Sequence, residues 1–205
     1  MVDRGPNPLT AGFWERAERY NATFGKLYPG SKFHNDDNRI VAATWFTGND
    51  YRNRSRLYGA YPPQFLPRVR SLFEDVPPER VLHLFAGSVV PLPGEVTLDA
   101  SPEFRPTVIG DAEDVAVLFG KKFYLILADP PYSPADAEKY GAKMPNVPKV
   151  VSACAEILEP GGYLGWLSTT WPMFSKERLS LVGHVAIIRS TMHRTRSWFV
   201  FRRVA

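Results

Sequence analysis

The sequence predicts an α/β protein built on a mostly parallel sheet, and three observations carry that expectation. Short segments such as Val81-Leu82-His83-Leu84-Phe85 and Phe123-Tyr124-Leu125-Ile126-Leu127-Ala128 are almost continuously apolar, as strands covered on both faces are. Stretches with helical spacing separate them. Polar residues recur where the apolar runs stop, at Ser88, Asp99, Asp111, Asp129 and Thr169. In an open α/β sheet that carboxyl edge is where ligands bind.

The chain has 205 residues, 44% of them apolar and 13% aromatic. That is enough for one core, against a typical domain of about 150 residues. Its apolar runs fall far short of the roughly 20 residues that cross a bilayer. The N-terminus, MVDRGPNPLT, lacks the apolar stretch of a secretory signal. The single cysteine, Cys154, excludes an internal disulfide and a cysteine-rich metal or iron–sulfur site. It sits on the apolar face of a predicted helix, as a packing residue does. The histidines show no ligand spacing, so no metal is expected. A cytoplasmic protein without membrane attachment is the expectation.

Charge is unevenly placed. Lys and Arg number 25 against 21 Asp and Glu, 25 − 21 = +4, and from Arg178 to Ala205 there are six arginines and no acid. A second basic stretch, Tyr51 to Tyr58, interleaves Arg52, Arg54 and Arg56 with tyrosine. Arginine pairs bidentately with phosphate and stacks on bases, so both stretches suit a nucleic acid.

Along the chain, residues 1–60 read as an irregular N-terminal extension that could serve recognition, with a short helix at Phe13 to Tyr20. The region 61–205 reads as the catalytic domain. Gln64 to Phe73 predicts a helix with Phe65, Leu66, Val69 and Phe73 on one face. Strands follow at 81–85, Glu95 to Leu98 and 107–109. A helix spans Ala112 to Phe119, and the strongest strand is Phe123 to Ala128. Another helix covers Lys149 to Leu158, stopped by Glu159-Pro160-Gly161-Gly162. A strand at Tyr163 to Leu167 comes next, then a hairpin of Val185 to Ser190 and Trp198 to Arg203.

Asp129-Pro130-Pro131-Tyr132 carries the chemistry. It follows a buried strand, which pins the carboxylate at the sheet edge, and two fixed-φ prolines make the turn rigid. Such a turn can aim the Asp129 carboxylate and its own carbonyl at one amino group. Tyr132 offers a flat face to a planar base. The segment Ser133 to Pro148 follows directly, with Lys139 and Lys143, and reads as a loop that closes over the target base, ahead of a plain irregular connection.

These residues resemble the S-adenosylmethionine-dependent amino-methyltransferases, most closely the DNA adenine-N6 type, from about Tyr58 to the C-terminus. The resemblance rests on Leu84-Phe85-Ala86-Gly87-Ser88, Asp99, Asp111, the Asp129–Tyr132 motif and Leu158-Glu159-Pro160-Gly161-Gly162, with Tyr61-Pro62-Pro63 as an auxiliary cofactor motif. It implies a Rossmann-like methyltransferase fold, a mostly parallel seven-stranded sheet ending in an antiparallel hairpin. S-adenosylmethionine would lie on Phe85, Ala86, Gly87 and Ser88, with Asp99 at the ribose, Asp111 and Ala112 at the adenine, and Tyr61 and Pro62 nearby. Asp129, Pro130, Pro131 and Tyr132 would hold a flipped base whose amine takes the methyl group in line. Arg52, Arg54, Arg56, Lys139, Lys143, Arg194 and Arg196 would contact nucleic acid, DNA ahead of RNA.

Two departures stand out. His83 occupies the position where the family usually carries an acid. Only seven residues separate Gly87 from Glu95, too few for a βαβ crossover of at least about 10–12. The first crossover helix is therefore expected to be lost or cut to a turn. An RNA base-amine methyltransferase of guanine-N2 type stays open. So does a non-catalytic relative that binds nucleic acid or partners an active subunit, and assembly as a homodimer or with a partner subunit is also open.

Overall fold

The computed structural model describes residues 7–35, 39–48, 61–139, 141–189 and 195–204. Arg52, Arg54, Arg56 and Arg194 lie outside the described residues. The elements run α1 (Pro8–Ala22), α2 (Phe24–Leu27), β1 (Val41–Thr47), α3 (Phe65–Leu72), β2 (Val81–Leu84), β3 (Val96–Asp99) and β4 (Val108–Ile109). They continue with α4 (Val115–Leu118), β5 (Phe123–Ala128), α5 (Pro134–Lys139), α6 (Val147–Ile157), β6 (Leu158–Ser168), β7 (Leu179–Arg189) and β8 (Arg196–Arg203). No helix among the described residues is long and apolar enough to cross a membrane.

Among the described residues eight strands form one sheet in the order β4-β3-β2-β5-β6-β8-β7-β1. All neighbours are parallel except β8, which runs antiparallel to both β6 and β7. The carboxyl ends of β2 to β6 therefore share one edge. Two apolar clusters cover the faces. Phe13, Trp45, Phe65, Tyr163 and Trp198 belong to one, and Leu82, Ile126, Cys154, Trp166 and Phe201 to the other. Cys154 is buried, which pushes its thiol pKa well up.

The predicted parallel core is present, and no helix stands between β2 and β3, as the seven-residue spacing required. The N-terminal extension differs from the expectation. Asn7 caps α1 by accepting from Leu9 N at 3.0 Å, with Pro8 in its first turn. Phe13, Ala17 and Tyr20 bury one face of that helix. Strand β1 then pairs with β7, Val41 opposite Gly183 through Thr47 opposite Arg189, and adds an eighth strand. Residues whose polarity does not match their face hid both elements. The buried face of α1 also carries the polar Thr10 and Arg16, and the outward face of β1 carries the apolar Phe46. Arg16 is satisfied by Asp75 and lies over the Phe73 ring at 4.8 Å.

Helix α6 starts at Asn146, whose side chain accepts from Lys149 N at 3.2 Å. The helix ends at Ile157, at the stop predicted from residues 159–162, and those residues form a bulge at the start of β6. The register jumps from Leu158 opposite Phe123 to Tyr163 opposite Leu125. A Cβ at Gly162 would sit 2.8 Å from the Tyr124 carbonyl, so only glycine fits that step.

Candidate active site

The carboxyl edge opens into a cavity of about 720 Å³, within the range of small-molecule sites. One end is built from the β2–β3 region. Phe85 and Gly87 turn the chain with φ of 54° and 50°, a conformation glycine adopts freely and a bulky aromatic adopts only when held. Gly87 N donates to Asp99 Oδ2 at 2.8 Å, and Ser101 N donates to Asp99 Oδ1 at 2.8 Å. Each oxygen keeps a lone pair, so the carboxylate orders the loop and can still accept from a ligand. Asp111 follows β4, and Ala112, Leu98 and Phe104 supply apolar wall.

The other end is the motif after β5. Pro130 is buried, and Tyr132 folds back so that its hydroxyl donates to Asp129 Oδ1. Burial pushes the Asp129 carboxyl up to about 6, against the nearby Arg196 charge and the Tyr132 hydrogen bond, which both lower it. Arg196 opens β8 opposite Ile187, and its guanidinium carbon lies 5.1 Å from the Tyr132 ring centroid.

Twelve of the residues singled out by sequence line this one cavity: Phe85, Gly87, Asp99, Asp111, Ala112, Asp129 to Tyr132, Lys139, Lys143 and Arg196. Four described ones do not. Pro62 is buried, and the Tyr61 hydroxyl lies 3.3 Å from His83 Nδ1 and donates to the Leu127 carbonyl at 3.4 Å. Tyr61 thus braces the back of the sheet edge. Ala86 is buried, and the Ser88 hydroxyl is buried with no hydrogen-bond partner among the described residues.

The segment after the motif, expected as a loop, begins with a helix. Ser133 Oγ accepts from Asp136 N at 3.1 Å and starts helix α5. The chain beyond it is tied to the opposite end of the cavity. Lys143 Nζ is 2.8 Å from Asp111 Oδ2, and Asn146 N donates to Glu113 Oε1 at 3.0 Å. Lys143 therefore neutralises a cavity carboxylate and covers the Asp111 end. The basic tail is also partly spent on structure. Arg178 pairs with Glu156 at 3.0 Å, Arg202 donates to Leu9 and Gly161 carbonyls, and Arg203 to those of Glu156 and Leu158. No pattern in a one-dimensional charge count separates these arginines from Arg196.

No family model matches the sequence, and no curated protein matches it. Among solved structures the chain is similar to TrmN from Thermus thermophilus, with 16% identity and a TM-score of 0.52 over 72% of this chain and 50% of that one. The chain thus spans about half the length of that structure. The chain has a Rossmann-like methyltransferase fold. Weaker likenesses are to the putative methyltransferase yhhF of Escherichia coli, at 12% identity and a TM-score of 0.48 over 73% of this chain and 90% of that one. An rRNA methylase from Streptococcus thermophilus follows at 7% and 0.42, over 64% and 91%. In this methyltransferase fold the cavity described above occupies the carboxyl edge of the central strands.

Proposed function

We propose that the chain is an S-adenosylmethionine-dependent methyltransferase acting on the exocyclic amine of a nucleobase, with adenine N6 in DNA as its target. The observation that supports it most is the joining of two unlike ends in one cavity. Asp99 and Asp111 stand at one, and Asp129, Pro130 and Tyr132 at the other.

The first end suits the cofactor. Asp99 and Asp111 are acceptors for hydroxyl and amino donors, and the Asp99 charge favours a cationic ligand. Phe85, Leu98 and Ala112 offer apolar surface to a flat ring. Bound there, S-adenosylmethionine supplies a sulfonium-activated methyl group. Among the described residues no group of three His, Cys, Asp or Glu side chains is placed to hold a metal ion.

The second end holds the nucleophile. An exocyclic amine offers two hydrogens, and the Asp129 carboxylate and the turn carbonyls accept them. Those bonds raise electron density on nitrogen and fix its direction of approach. Tyr132 gives the base a face to stack on and, through Arg196, a cation behind it. Asp129, held at about 6, is mostly ionised at neutral pH. It is also basic enough to take up the proton that the alkylated amine sheds. Arg196 and Lys139 place positive charge at this end, which suits the phosphates flanking a flipped nucleotide.

The test is transfer of labelled methyl from S-adenosylmethionine to duplex DNA, single-stranded DNA and structured RNA, followed by digestion to nucleosides. Label in N6-methyldeoxyadenosine, lost in Asp129→Ala, is the expected result. Label in a guanine N2 position of RNA would overturn the DNA assignment. No transfer to any of them would overturn the reading as a base-amine enzyme.

A further inference from the structure

We propose that Glu95 is a positioning residue that does the work of the missing first crossover helix, locking the loop 85–95 in the shape that receives the cofactor. The inference rests on the cofactor assignment made above.

In a βαβ unit the helix after the first strand holds the turn at its own N-terminus through its backbone ladder and its packing on the sheet. Here that turn still lines the cavity with Phe85 and Gly87, both at positive φ, yet no helix follows. Something else must hold it. The front is held by Asp99 through Gly87 N. The back converges on Glu95, whose side chain is only 3% exposed.

Four donors reach that carboxylate. Leu92 N, in the loop, donates to Oε2 at 2.6 Å. Arg70, on α3, donates to Oε1 at 3.3 Å and to Oε2 at 2.7 Å. His83, on β2, contacts Oε2 through Nε2 at 3.2 Å. An ionised carboxylate can only accept, so His83 Nε2 carries a proton and donates it to Glu95, while Nδ1 lies 3.3 Å from the Tyr61 hydroxyl. Arg70 also donates to the Val90 carbonyl at 3.4 Å. One buried carboxylate thus joins the loop, the helix before β2, and the strand that leads into Phe85.

This accounts for three features with no other assignment. His83 stands fully buried in a sheet because Glu95 and Tyr61 satisfy both ring nitrogens. Tyr61 lies behind the cavity because it closes the same chain of hydrogen bonds. The loop returns after so few residues because it ends on its own anchor, two residues before Thr97 pairs with His83 across β2 and β3. Glu95 touches neither end of the cavity and acts through the loop alone.

Two variants separate positioning from folding. Glu95→Gln removes the charge from a buried cluster and is expected to destabilise. Leu92→Pro removes the loop's N–H donor and leaves the carboxylate's charge in place, at an exposed residue already between two prolines. Calorimetric titration with S-adenosylmethionine, nucleic-acid binding by anisotropy and thermal melting are measured on each. The expected result is cofactor affinity weakened about tenfold in Leu92→Pro, the loss of one charge-assisted hydrogen bond. Its nucleic-acid affinity stays at the wild-type value, and its melting temperature falls less than that of Glu95→Gln. Unchanged cofactor affinity in both variants, or a Leu92→Pro protein whose nucleic-acid affinity falls in parallel, would overturn the positioning role. A wild type that binds no S-adenosylmethionine would instead overturn the cofactor assignment and this inference with it.

Discussion

The Tyr132 hydroxyl donates its proton to Asp129 Oδ1, so the aromatic ring of the motif is clamped by the carboxylate that precedes it. On the proposed function, the base amine donates to this same carboxylate. The Asp129 charge state is then decisive, because only the ionised group accepts with both oxygens.

Methyl transfer is expected to rise with pH along a limb centred near 6, because the carboxylate must be ionised to accept from the amine. Burial sets that raised value and the Tyr132 hydrogen bond opposes it. Tyr132→Phe removes the opposition and should move the limb to higher pH. Rate against pH for both proteins checks it, and coincident limbs would refute the assignment.

Asp129→Asn should lose about 10²–10³-fold in rate, as removal of one electrostatic contact to a reacting group does. Stability should move the other way. The folded carboxyl titrates near 6, above its ordinary 3.8. The folded state therefore binds more protons between those values, and stability falls as pH rises through them. The neutral amide escapes that fall, so melting at pH 7 should be no lower than wild type.

Arg196→Met removes the cation beside Tyr132 and Asp129. The Asp129 limb should shift upward, since the guanidinium charge lowers that group. Nucleic-acid affinity should weaken, with a salt-dependence slope shallower by about 1. The slope is read from log affinity against log salt, and an unchanged slope would place the phosphate contact elsewhere.

The Glu95 cluster predicts an acid-sensitive contribution to stability. Burial alone would raise this carboxyl, but hydrogen bonds from His83, Arg70 and Leu92 N outweigh it and bring it from 4.5 down to about 2. A depressed folded value gives stability that is whole above 4.5 and lost as pH falls towards 2. The gap in denaturant midpoint between wild type and Glu95→Gln should therefore narrow across that window.

Gly183→Ala tests whether the N-terminal helix is part of the core. A Cβ there would meet Phe13 Cε1 at 2.3 Å. Phe13 is fully buried in α1 against the sheet, so the clash should destabilise by about 1–3 kcal/mol, as overpacking does. Chemical denaturation measures it, and a neutral substitution would mean that α1 shifts freely on β7.

The strands β2 and β5 and the motif at Asp129 were legible because their signals are local. An unbroken apolar run has one favourable fate in water, and two prolines after an acid leave the chain little freedom. The loss of the crossover helix was legible from arithmetic, since seven residues cannot span a helix and return. What replaced it was not, because Glu95, Arg70 and His83 are remote in sequence or differently placed, and meet only when α3 and β2 pack.

The same contrast divides the charges. The sequence by itself determined a parallel sheet with Asp99, Asp111 and Asp129 along its carboxyl edge, since residues that end buried parallel strands must emerge on one side. Only the tertiary structure decided that Lys143 answers Asp111, that Arg202 and Arg203 brace the fold, and that Arg196 lies over Tyr132. A charge is read from sequence as a sign alone; its partner is set by the distance at which folding leaves it, and the Coulomb energy depends on that distance and on the water left around it.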